Sequence, residues 1–597
     1  MAQRLVPTYT SNLRIKNFPL LDIREYGSVH KNLGAGGFGS VFQFCRGVCI
    51  PENSVAIKRS AINEGITDVI EESLLHEVVA LMRTNHPNIV TLIDIAFDSR
   101  NLEFVLVFPL ASGTLEDYAA LPGPYNNFSK GKIDKSLDVR QVGIVIYQLS
   151  RAFAYLESVD VRHRDIKPAN VLVYWQACDH NPHLRVVLAD FGLSRVGLCA
   201  YATETLVRVG TELYMAPELL LGGTYTRSSD IWSLGCIAYE LLTREIVGSD
   251  NFDDHIIEIM RLRGTPAAYD WPAMRGFPDW SPEFDNIQVV PQLINRIDPN
   301  IRPLIERMLQ IVPSCRPSGA QLVHDANLQL LAKDWVETCD PAPEARQLNC
   351  EQEAISNTEG ERIYPPNGMV RAIRLGTIEL IETVVSKLNG HLRDFFLAQT
   401  IIDRYFERNR TFDITNPTLL TLCIYLCVYI ARQLVNETTR ISLQSPYIQS
   451  AITEIGENNF KEMQIDILRR LRFNVMVGTM YDLVSARSDY YQQRTIEVAI
   501  LFLRVAARSM LVYVTSLQDI ADLCMIMACA YTGEMCKGDI RFLAQRLAQY
   551  KPIFYEGVRD VLSNPESAAR LLTPTERLID IIKKSPEAVT YFGGIFG

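Results

Sequence analysis

The sequence contains little that marks export or insertion into a membrane. Its first residues, MAQRLVPTYTSNLR, lack the long apolar core of a secretory signal. The most apolar run, from Leu419 to Ala431, is shorter than the ~20 residues that a bilayer-spanning helix needs. We therefore expect this run to form a buried helix. The same absences favour an intracellular protein of the nucleus or the cytoplasm, with no membrane partner.

Cysteine is present without the spacing of a disulfide framework or a zinc finger. The 13 cysteines are scattered and odd in number. Two pairs, Cys45 with Cys49 and Cys423 with Cys427, are four residues apart, but neither has a histidine or a second cysteine pair at zinc-finger distance along the chain. In a large chain without a signal, this usage predicts reduced thiols rather than disulfides or metal ligands.

An excess of positive charge is also missing. The net charge is −10, which argues against direct binding to nucleic acid or to an anionic membrane. Hydrophobic residues make up 48% of the chain and charged residues 21%, as in ordinary globular proteins. No repeat of solenoid length is visible, and a chain of 597 residues is too long for one core. A usual size of ~100–200 residues per domain suggests roughly three or four domains.

A compact set of reactive groups lies between Val161 and Val173, VRHRDIKPANVLV. Asp165, Lys167 and Asn170 follow one another there at short spacings. Phosphoryl transfer uses these types of group: a carboxylate orients the attacking hydroxyl and takes its proton, a cation offsets charge on the moving phosphoryl, and an amide oxygen holds magnesium. We therefore assign catalysis to Asp165, Lys167 and Asn170.

The string HRDxKxxN resembles the catalytic loop of eukaryotic protein kinases. Gly34, Gly36 and Gly39 form a GxGxxG pattern, which alone could also be a dinucleotide-binding turn. Strand-like residues follow these glycines, whereas a dinucleotide turn opens a helix, so a kinase glycine loop is the better match.

A lysine and a glutamate are expected to pair above the nucleotide. The predicted strand Val55–Lys58 ends in a lysine, and an unpaired buried ammonium is costly. Glu77, on a helix predicted from Thr67 to Arg83, is its expected partner. The resemblance implies the same ion pair.

The resemblance implies a full set of site residues. The residues that would hold ATP are Gly34, Gly36, Gly39, Val41, Ala56, Lys58, Glu77, Phe108 and Ala111. Asn170 and Asp190, in the DFG sequence, would hold Mg2+. The activation-segment residues would be Arg164, Arg195, Thr203, Thr205, Thr211 and Glu218. Arg316 would pair with Glu218, and Asp230 would brace the catalytic loop.

Residues 25 to 330 resemble the cyclin-dependent subgroup of serine/threonine kinases. The motifs that carry this resemblance are NHPNIV, APELLLGGTYTRSSDIWSLGCI, and GTP, WP and PDW between Arg263 and Ser318. Several positions depart from the family pattern. Leu206 stands where the activating threonine is expected, and His76 replaces one of three phosphate-binding arginines. We therefore expect activation-loop phosphorylation to be optional, with Glu204 partly substituting.

Other departures concern specificity and inhibition. Met215 and Gly210 replace residues that shape the pocket for proline after the phosphorylated residue, so Ser/Thr-Pro specificity is only weakly supported. Gly37 and Phe38 replace the Thr-Tyr pair that inhibitory kinases modify. Neither residue carries a hydroxyl, and this control cannot operate.

The second half of the chain is predicted to be helical. The fragments Leu392–Asn409 and Asn458–Val475 resemble the second and fifth helices of a cyclin box. Cyclins hold the kinase helix that bears the glutamate inward, which implies an intramolecular contact here. By alignment, Arg432 and Gln464 take the positions that grip the kinase. A generic helical scaffold remains an alternative, because apolar helices at 3.6 spacing occur in any α-bundle.

The predicted fold class is a bilobal α+β protein kinase followed by an all-α double cyclin fold. The predicted segments are an N-terminal extension (1–24), a kinase domain (25–335, with lobes 25–111 and 112–335), a linker (336–368), a cyclin box (369–482) and a diverged cyclin-like domain (483–597). The predicted function is ATP- and Mg2+-dependent phosphorylation of serine and threonine in proteins, activated in cis, with a cell-cycle or transcriptional role. Two alternatives are a helical half that docks a foreign kinase or transcription complex, and a pseudokinase scaffold.

Overall fold

The structure is a computed structural model. It describes residues 18–36, 39–50, 53–60, 70–119, 137–178, 181–196, 210–249, 252–264, 271–288, 297–333, 369–388, 390–435, 456–488, 490–534 and 547–554, together with Trp335, Ile363, Pro365 and Thr453.

The first lobe is built on an antiparallel sheet of five strands. The strands are β1 (Ser28–Gly36), β2 (Gly39–Cys45), β3 (Ser54–Arg59), β4 (Asp94–Asp98) and β5 (Glu103–Pro109), in the spatial order β1-β2-β3-β5-β4. The strands β4 and β5 are almost wholly buried, since their apolar side chains face cores on both sides of the sheet.

One helix, α1 (Glu72–Met82), packs beside this sheet. Every residue from Ser73 to Met82 is buried, which is the pattern of a helix enclosed on all sides. The predicted start at Thr67 is wrong for the part that can be compared: Glu71 has an extended backbone and Ile70 precedes the helix. Ile70 is buried without being helical, so its apolar character was mistaken for helical periodicity.

The second lobe is mainly helical. A capping box made by Asp138 and Gln141 starts its longest helix, which is α3 in chain order. Trp335, at the predicted end of this domain, packs edge-on against Tyr147 of that helix. The elements of this lobe are β6 (Gly113–Thr114), α2 (Glu116–Ala119), α3 (Val139–Ser158), β7 (Val161–Arg162), β8 (Val171–Cys178), β9 (Asn181–Leu188), β10 (Arg195–Val196), α4 (Pro217–Leu220), α5 (Arg227–Thr243), α6 (Phe252–Arg263), α7 (Arg302–Met308), α8 (Gly319–Val323) and α9 (Ala326–Leu331).

The described residues from 369 onward, called here the helical half, contain helices and no strand. The helices are α10 (Arg371–Lys387), α11 (Leu392–Arg408), α12 (Pro417–Val435), α13 (Glu457–Arg470), α14 (Met480–Ser485), α15 (Gln493–Arg508) and α16 (Leu517–Thr532). Apolar periodicity in the sequence predicts helices over Arg371–Leu388, Leu392–Arg408, Pro417–Val435 and Ser445–Gly456. The first three are confirmed to within a residue. The helix predicted for Ser445–Gly456 lies almost wholly outside the described residues.

A buried ion pair in the early part of the helical half is hydrogen-bonded to its late part. The Arg374 guanidinium, fully buried, donates to Asp403 Oδ2 at 2.9 Å and to the Ala507 carbonyl at 3.2 Å. The Tyr513 hydroxyl donates to Asp403 Oδ1 at 3.1 Å. Removing either charge would leave the other buried without its partner, which is strongly destabilising.

The helix α12 is apolar and long enough, by length and composition alone, to cross a membrane. Of its most apolar window, 67% is buried inside the protein. It packs against α10 and α11 as a core helix, which agrees with the burial predicted for Leu419–Ala431 from Leu422 onward. Leu419, at the start of that run, is exposed.

The expectation of reduced thiols is wrong for one pair of cysteines. Cys45 and Cys49 form a disulfide across the turn that leaves β2. The sequence did not indicate this bond, because a C-x3-C spacing says nothing of whether the turn brings the two Cβ atoms together. Five other cysteines in the described residues are free thiols: Cys236, Cys315, Cys423, Cys427 and Cys524.

Candidate active site

The three glycines lie on one hairpin at the edge of the first lobe. Strand β1 carries Gly34 and Gly36 and pairs with β2, which begins at Gly39, so the glycines are followed by strand as predicted. A Cβ at Gly34 would meet open space, whereas one at Gly39 would overlap the Arg59 carbonyl. Gly39 also has a φ of +133°, which side chains rarely tolerate. The hairpin therefore presents bare backbone to its surroundings.

A lysine between two carboxylates lies under this hairpin. Lys58 Nζ is 2.7 Å from Glu77 Oε2 and 2.7 Å from Asp190 Oδ1, so the expected Lys58–Glu77 ion pair is present. Burial alone would lower the pKa of Lys58, but the two carboxylates outweigh it and raise that pKa. The Phe191 backbone N–H also donates to Glu77 Oε1, at 3.3 Å, which ties α1 to the DFG residues.

The cluster carries one positive charge and two negative charges. Burial raises the pKa of Glu77, while Lys58 overcomes the effect of burial on Asp190 and lowers its pKa. The Asp190 side chain remains 31% exposed, so one of its oxygens can face a cation. A buried net negative charge of this kind is stabilised by a cation or by the groups that accompany it.

The catalytic loop forms a hydrogen-bonded unit around Asp165. Lys167 Nζ lies 2.8 Å from Asp165 Oδ2, and the Asn170 amide nitrogen donates to Asp165 Oδ2 at 3.0 Å and to its carbonyl at 2.9 Å. The Thr211 hydroxyl donates to Asp165 Oδ1 at 2.9 Å, and Lys167 Nζ donates to that hydroxyl at 2.8 Å. The structure thus brings together all three residues assigned to catalysis and adds Thr211.

A glycine lets the activation segment approach this loop. Gly210 has a φ of +110°, and a Cβ there would lie 2.7 Å from the Arg164 carbonyl. The next residue, Thr211, also donates its backbone N–H to Asp165 Oδ1, at 2.9 Å. In the sequence, Gly210 departs from the subgroup pattern. The structure explains it as a requirement of this close approach.

Buried His163 and half-buried Arg164 hold the catalytic loop to the DFG segment. His163 Nε2 donates to the Ala189 carbonyl at 2.9 Å, and its ring lies edge-on to Phe191. Burial lowers the pKa of His163 and favours the neutral ring. Arg164 donates from Nε to the Leu193 carbonyl at 2.9 Å.

The segment after the loop is anchored in the second lobe. Arg316 forms a bidentate ion pair with Glu218, at 2.7 and 2.8 Å, as expected. Tyr225 donates its hydroxyl to Asp230 at 2.5 Å. Burial raises the pKa of Asp230 to about 7, against a backbone hydrogen bond from Arg164 that lowers it. Asp230 thus contacts the catalytic loop, as expected.

His76 occupies a different environment from the arginine that it replaces. Its pKa is lowered to about 4, first by burial and then by the charge of Arg195, with a smaller effect of Arg164. Its Nε2 lies 2.9 Å from the Gln433 carbonyl of α12. A carbonyl only accepts, so the neutral ring donates from Nε2. His76 therefore lies near Arg195 and also contacts the helical half.

The helical half contacts the first lobe at α1 and beside β4 and β5. Besides His76, Arg83 at the end of α1 donates to the Met476 carbonyl at 3.1 Å. Phe473 packs edge-on against Phe104 of β5, with ring centroids 4.8 Å apart, and both rings are fully buried. The Arg469 guanidinium lies 4.4 Å from the centroid of the Phe97 ring. One continuous cluster of buried apolar side chains includes residues of both halves.

Arg432 and Gln464, which the sequence predicts to contact the kinase domain, are buried near this contact. Arg432 pairs with Asp394 of the helical half at 2.6 Å, and its neighbour Gln433 supplies the carbonyl for His76. Gln464 is 1% exposed and lies on α13, before the Phe473 turn. Sequence reasoning missed Phe473 and Gln433, because a backbone carbonyl and an aromatic ring in a turn carry no charge signature.

Several sequence predictions lie outside the described residues. They concern Thr203, Thr205, Glu204, Leu206, Gly37 and Phe38. The predicted linker, 336–368, is described only at Ile363 and Pro365. Three residues assigned to ATP binding lie in or beside the sheet: Ala56 is paired with Phe108, and Ala111 follows the end of β5.

The site has the groups needed to bind a nucleotide and move its terminal phosphoryl group, so the class of protein is a phosphotransferase. Residues 28–328 match the family model described as Protein kinase domain. The match covers half of the chain, and the chain belongs to the protein kinase family.

Members of this family use ATP and a divalent cation. A hard divalent cation prefers oxygen ligands. Asp190 offers a partly exposed carboxylate, and Asn170 donates to Asp165 through its nitrogen, so its oxygen is the atom suited to a metal. The donor set therefore fits Mg2+ held by Asn170 and Asp190.

Proposed function

We propose that the protein is a serine/threonine kinase of the cyclin-dependent type that uses ATP and Mg2+ and carries its own activating cyclin-like half. The observation that carries the enzymatic part is the unit of Asp165, Lys167, Asn170 and Thr211, joined by contacts of 2.8 to 3.0 Å. A pseudokinase would lack one of these groups or the Lys58–Glu77 pair, and this chain has them all.

The proposed reaction moves the γ-phosphoryl group of ATP to a protein hydroxyl. The hydroxyl oxygen forms a bond to the γ-phosphorus as the bond to the ADP oxygen breaks, and the hydroxyl proton passes to the Asp165 carboxylate. Lys167 offsets charge on the moving group, while Lys58 holds the nucleotide phosphates. Bound Mg2+ supplies charge stabilisation on the phosphate oxygens.

The proposed activation in cis is supported by what surrounds Glu77. Glu77 can meet Lys58 only if α1 stays against the first lobe, and α1 also packs against α12. His76 and Arg83, one on either side of Glu77 along the helix, hydrogen-bond to carbonyls of the helical half. The helical half therefore contacts the element whose position decides whether the ion pair forms.

Optional phosphorylation of the activation loop is a further part of the proposal. A phosphate in the pocket of Arg164 and Arg195 would find two guanidinium partners. The third position, His76, is neutral and engaged with Gln433 rather than positively charged. His76 thus attaches α1 to the helical half at the position where an arginine would otherwise bind the phosphate.

The enzymatic part is tested by transfer from ATP to matched peptides that differ only in a serine, threonine or tyrosine acceptor. We expect the full-length protein with Mg2+ to phosphorylate the serine and threonine peptides and to leave the tyrosine peptide unmodified. Transfer to tyrosine alone would contradict the proposed specificity. The absence of transfer to any acceptor, with ATP bound, would favour a scaffold.

Activation in cis is tested by truncating Phe473 in the full-length chain. We expect Phe473→Ala to lower kcat, because its ring packs on Phe104 behind α1. The matched control is Phe412→Ala, since Phe412 is also buried in the helical half but packs on Tyr405 and Phe406 there. Both variants are assayed at a temperature where circular dichroism shows them folded. Equal, unchanged kcat in both would leave the helical half as a docking module for another protein.

A further inference from the structure

Two cysteines and a histidine converge at the base of the glycine hairpin. Ligand atoms of His30, Cys45 and Cys49 all lie within 4.8 Å of one another. Cys45 ends β2, Cys49 follows in the turn toward β3, and His30 belongs to β1. None of these residues takes part in the phosphotransfer site described above.

An irregularity of the sheet brings the histidine to the cysteines. The register between β1 and β2 shifts after Val29, so that His30 has no partner of its own across the pair. An extra residue of this kind bends the strand and re-aims a side chain. Sequence spacing gave no sign of this histidine, because it lies fifteen positions before Cys45 and is brought close only by the pairing of the strands.

Neighbouring hydrogen bonds support the two sulfur atoms. The Gln43 amide nitrogen lies 3.7 Å from Cys45 Sγ and 3.6 Å from Cys49 Sγ. Ser54 Oγ lies 3.4 Å from Cys45 Sγ and donates to the Ile50 carbonyl at 2.7 Å, which fixes the turn. An amide donor such as Gln43 orients metal-bound ligands and stabilises their charge, while Ser54 holds the turn that carries Cys49.

We propose that the dithiol form of this cluster binds one zinc ion through Cys45, Cys49 and His30, with a water in the fourth position. Two sulfurs and one imidazole suit a borderline-soft ion rather than Mg2+ or Ca2+. The C-x3-C spacing lies within the range of zinc sites. Each thiol releases one proton as its sulfur binds, and the neutral imidazole binds through a ring nitrogen.

The disulfide and the zinc complex exclude each other. A disulfide sulfur has no thiolate charge to offer, so the Cys45–Cys49 bond must first be reduced. A thiol or phosphine supplies the two electrons and is itself oxidised, while the two sulfurs take up two protons and become thiols. The Cα atoms of the pair are 5.3 Å apart, and the sulfurs can separate by side-chain rotation. Cys49 is half-buried and His30 is exposed, so an ion can enter from solvent.

The position of the site suggests what zinc would do. Cys45 pairs with Ser28 at one end of the hairpin, while Gly36 pairs with Gly39 at the other. A strand of this length spans about 20 Å. A metal that joins both strands and the following turn would therefore stiffen the base of the hairpin whose tip bears the glycines.

Cobalt substitution tests the site in the full-length protein. The protein is reduced with a phosphine, freed of excess reductant and titrated with Co2+, whose bond to thiolate gives a near-ultraviolet charge-transfer band. We expect one cobalt per chain, displaced by one equivalent of Zn2+. Cys45→Ser and Cys49→Ser should lose the thiolate band, and His30→Gln should keep it but bind at least about tenfold more weakly.

The control is Cys315→Ser, which changes an exposed cysteine of the second lobe and should leave the titration unchanged. ATP binding by each variant shows that the kinase domain is folded. Persistence of the band in both Cys45→Ser and Cys49→Ser would overturn the proposal by assigning the metal to other thiols. So would the absence of a band in wild-type protein whose Cys45 and Cys49 thiols are shown by alkylation to be free.

Discussion

Four polar groups surround the carboxylate of Asp165, and they determine how it can act. Lys167, Asn170 and Thr211 fix its orientation through side-chain contacts, while the backbone of Thr211 supplies one more hydrogen bond. A carboxylate so restrained can accept the proton of a substrate hydroxyl only from one direction. Its charge and its position therefore both matter, and two substitutions separate them.

Removing the charge of Asp165 should abolish most transfer and spare ATP binding. Asp165→Asn keeps the size of the side chain but can no longer take the hydroxyl proton, so we expect kcat to fall by about 10²- to 10⁴-fold. Single-turnover transfer and binding of a fluorescent ATP analogue measure the two effects. The control is Asp285→Asn, in an exposed ion pair with Arg275. Undiminished turnover in Asp165→Asn would end the assignment.

Removing the hydroxyl of Thr211 should disturb the position of Asp165 and leave its charge intact. Thr211→Val loses hydrogen bonds to a carboxylate and an ammonium, each worth ~1.5–3 kcal/mol, so we expect kcat to fall by at least about tenfold with the KM for ATP unchanged. Thr211→Ser keeps the hydroxyl and should retain most activity. Loss of activity in Thr211→Ser, with activity kept in Thr211→Val, would show that the methyl group, rather than the hydroxyl, matters.

At the scale of elements, the central feature is α1, which is buried on every side. One of its residues, Glu77, faces the nucleotide lysine, and its neighbour His76 faces α12 and Arg195. Movement of α1 away from α12 would therefore break the contact of His76 with α12 and disturb the ion pair of Glu77 with Lys58. The turn after α13 supports it: Arg472 and Phe473 both have positive φ, a strained backbone that persists only where packing holds it.

Acid should weaken the attachment of α1 through His76. The pKa of His76 is about 4 in the folded protein, first because of burial, and about 6.5 when unfolded. Between these values the unfolded chain binds the proton more tightly, so the contribution to stability is complete above pH 6.5 and is lost as pH falls toward 4. The loss amounts to about 2 kcal/mol at pH 5.

Melting temperatures of wild type and His76→Gln at pH 7 and pH 5 measure this effect. Glutamine keeps a neutral donor but does not titrate, so we expect its melting temperature to change less with pH. The comparison between proteins is needed because buried Asp230 and Glu240, with pKa values raised to about 7, act in the opposite direction. Parallel changes in the two proteins would contradict a role for His76.

At the scale of the whole molecule, the contact between α1 and the helical half is intramolecular. Tethering two modules gives an effective concentration of order mM, so the contact should form at any protein concentration in the intact chain. Once the predicted linker is cut, the contact becomes bimolecular and should weaken on dilution.

Cutting the linker should make activity depend on concentration. A protease site inserted between residues 344 and 352 leaves the kinase domain and the helical half of the same sequence. We expect constant specific activity on dilution before cleavage and falling activity after it. The uncut insertion protein is the control. When Phe473→Ala weakens the contact, the specific activity of the cut protein should begin to fall at a higher protein concentration. If specific activity in both proteins is unchanged by cleavage and by dilution, activation by the helical half is ruled out.

The catalytic chemistry was visible in the sequence because it depends on residues close together along the chain. Asp165, Lys167 and Asn170 lie within six residues, and local backbone geometry brings them together. The Lys58–Glu77 pair was also predictable, because an ammonium on a buried strand needs an anion. Helix bounds in the second half followed from apolar periodicity, as in Leu392–Arg408.

Only the tertiary structure decided which distant groups meet. The contact of His76 with the Gln433 carbonyl joins positions 357 residues apart and uses a backbone atom that every residue has. His30 reaches Cys45 and Cys49 because of a shift in strand register, and Gly210 is required by the approach of the Arg164 carbonyl. The sequence by itself determined local chemistry and periodicity, whereas contacts that depend on the packing of separate elements leave no local pattern to read.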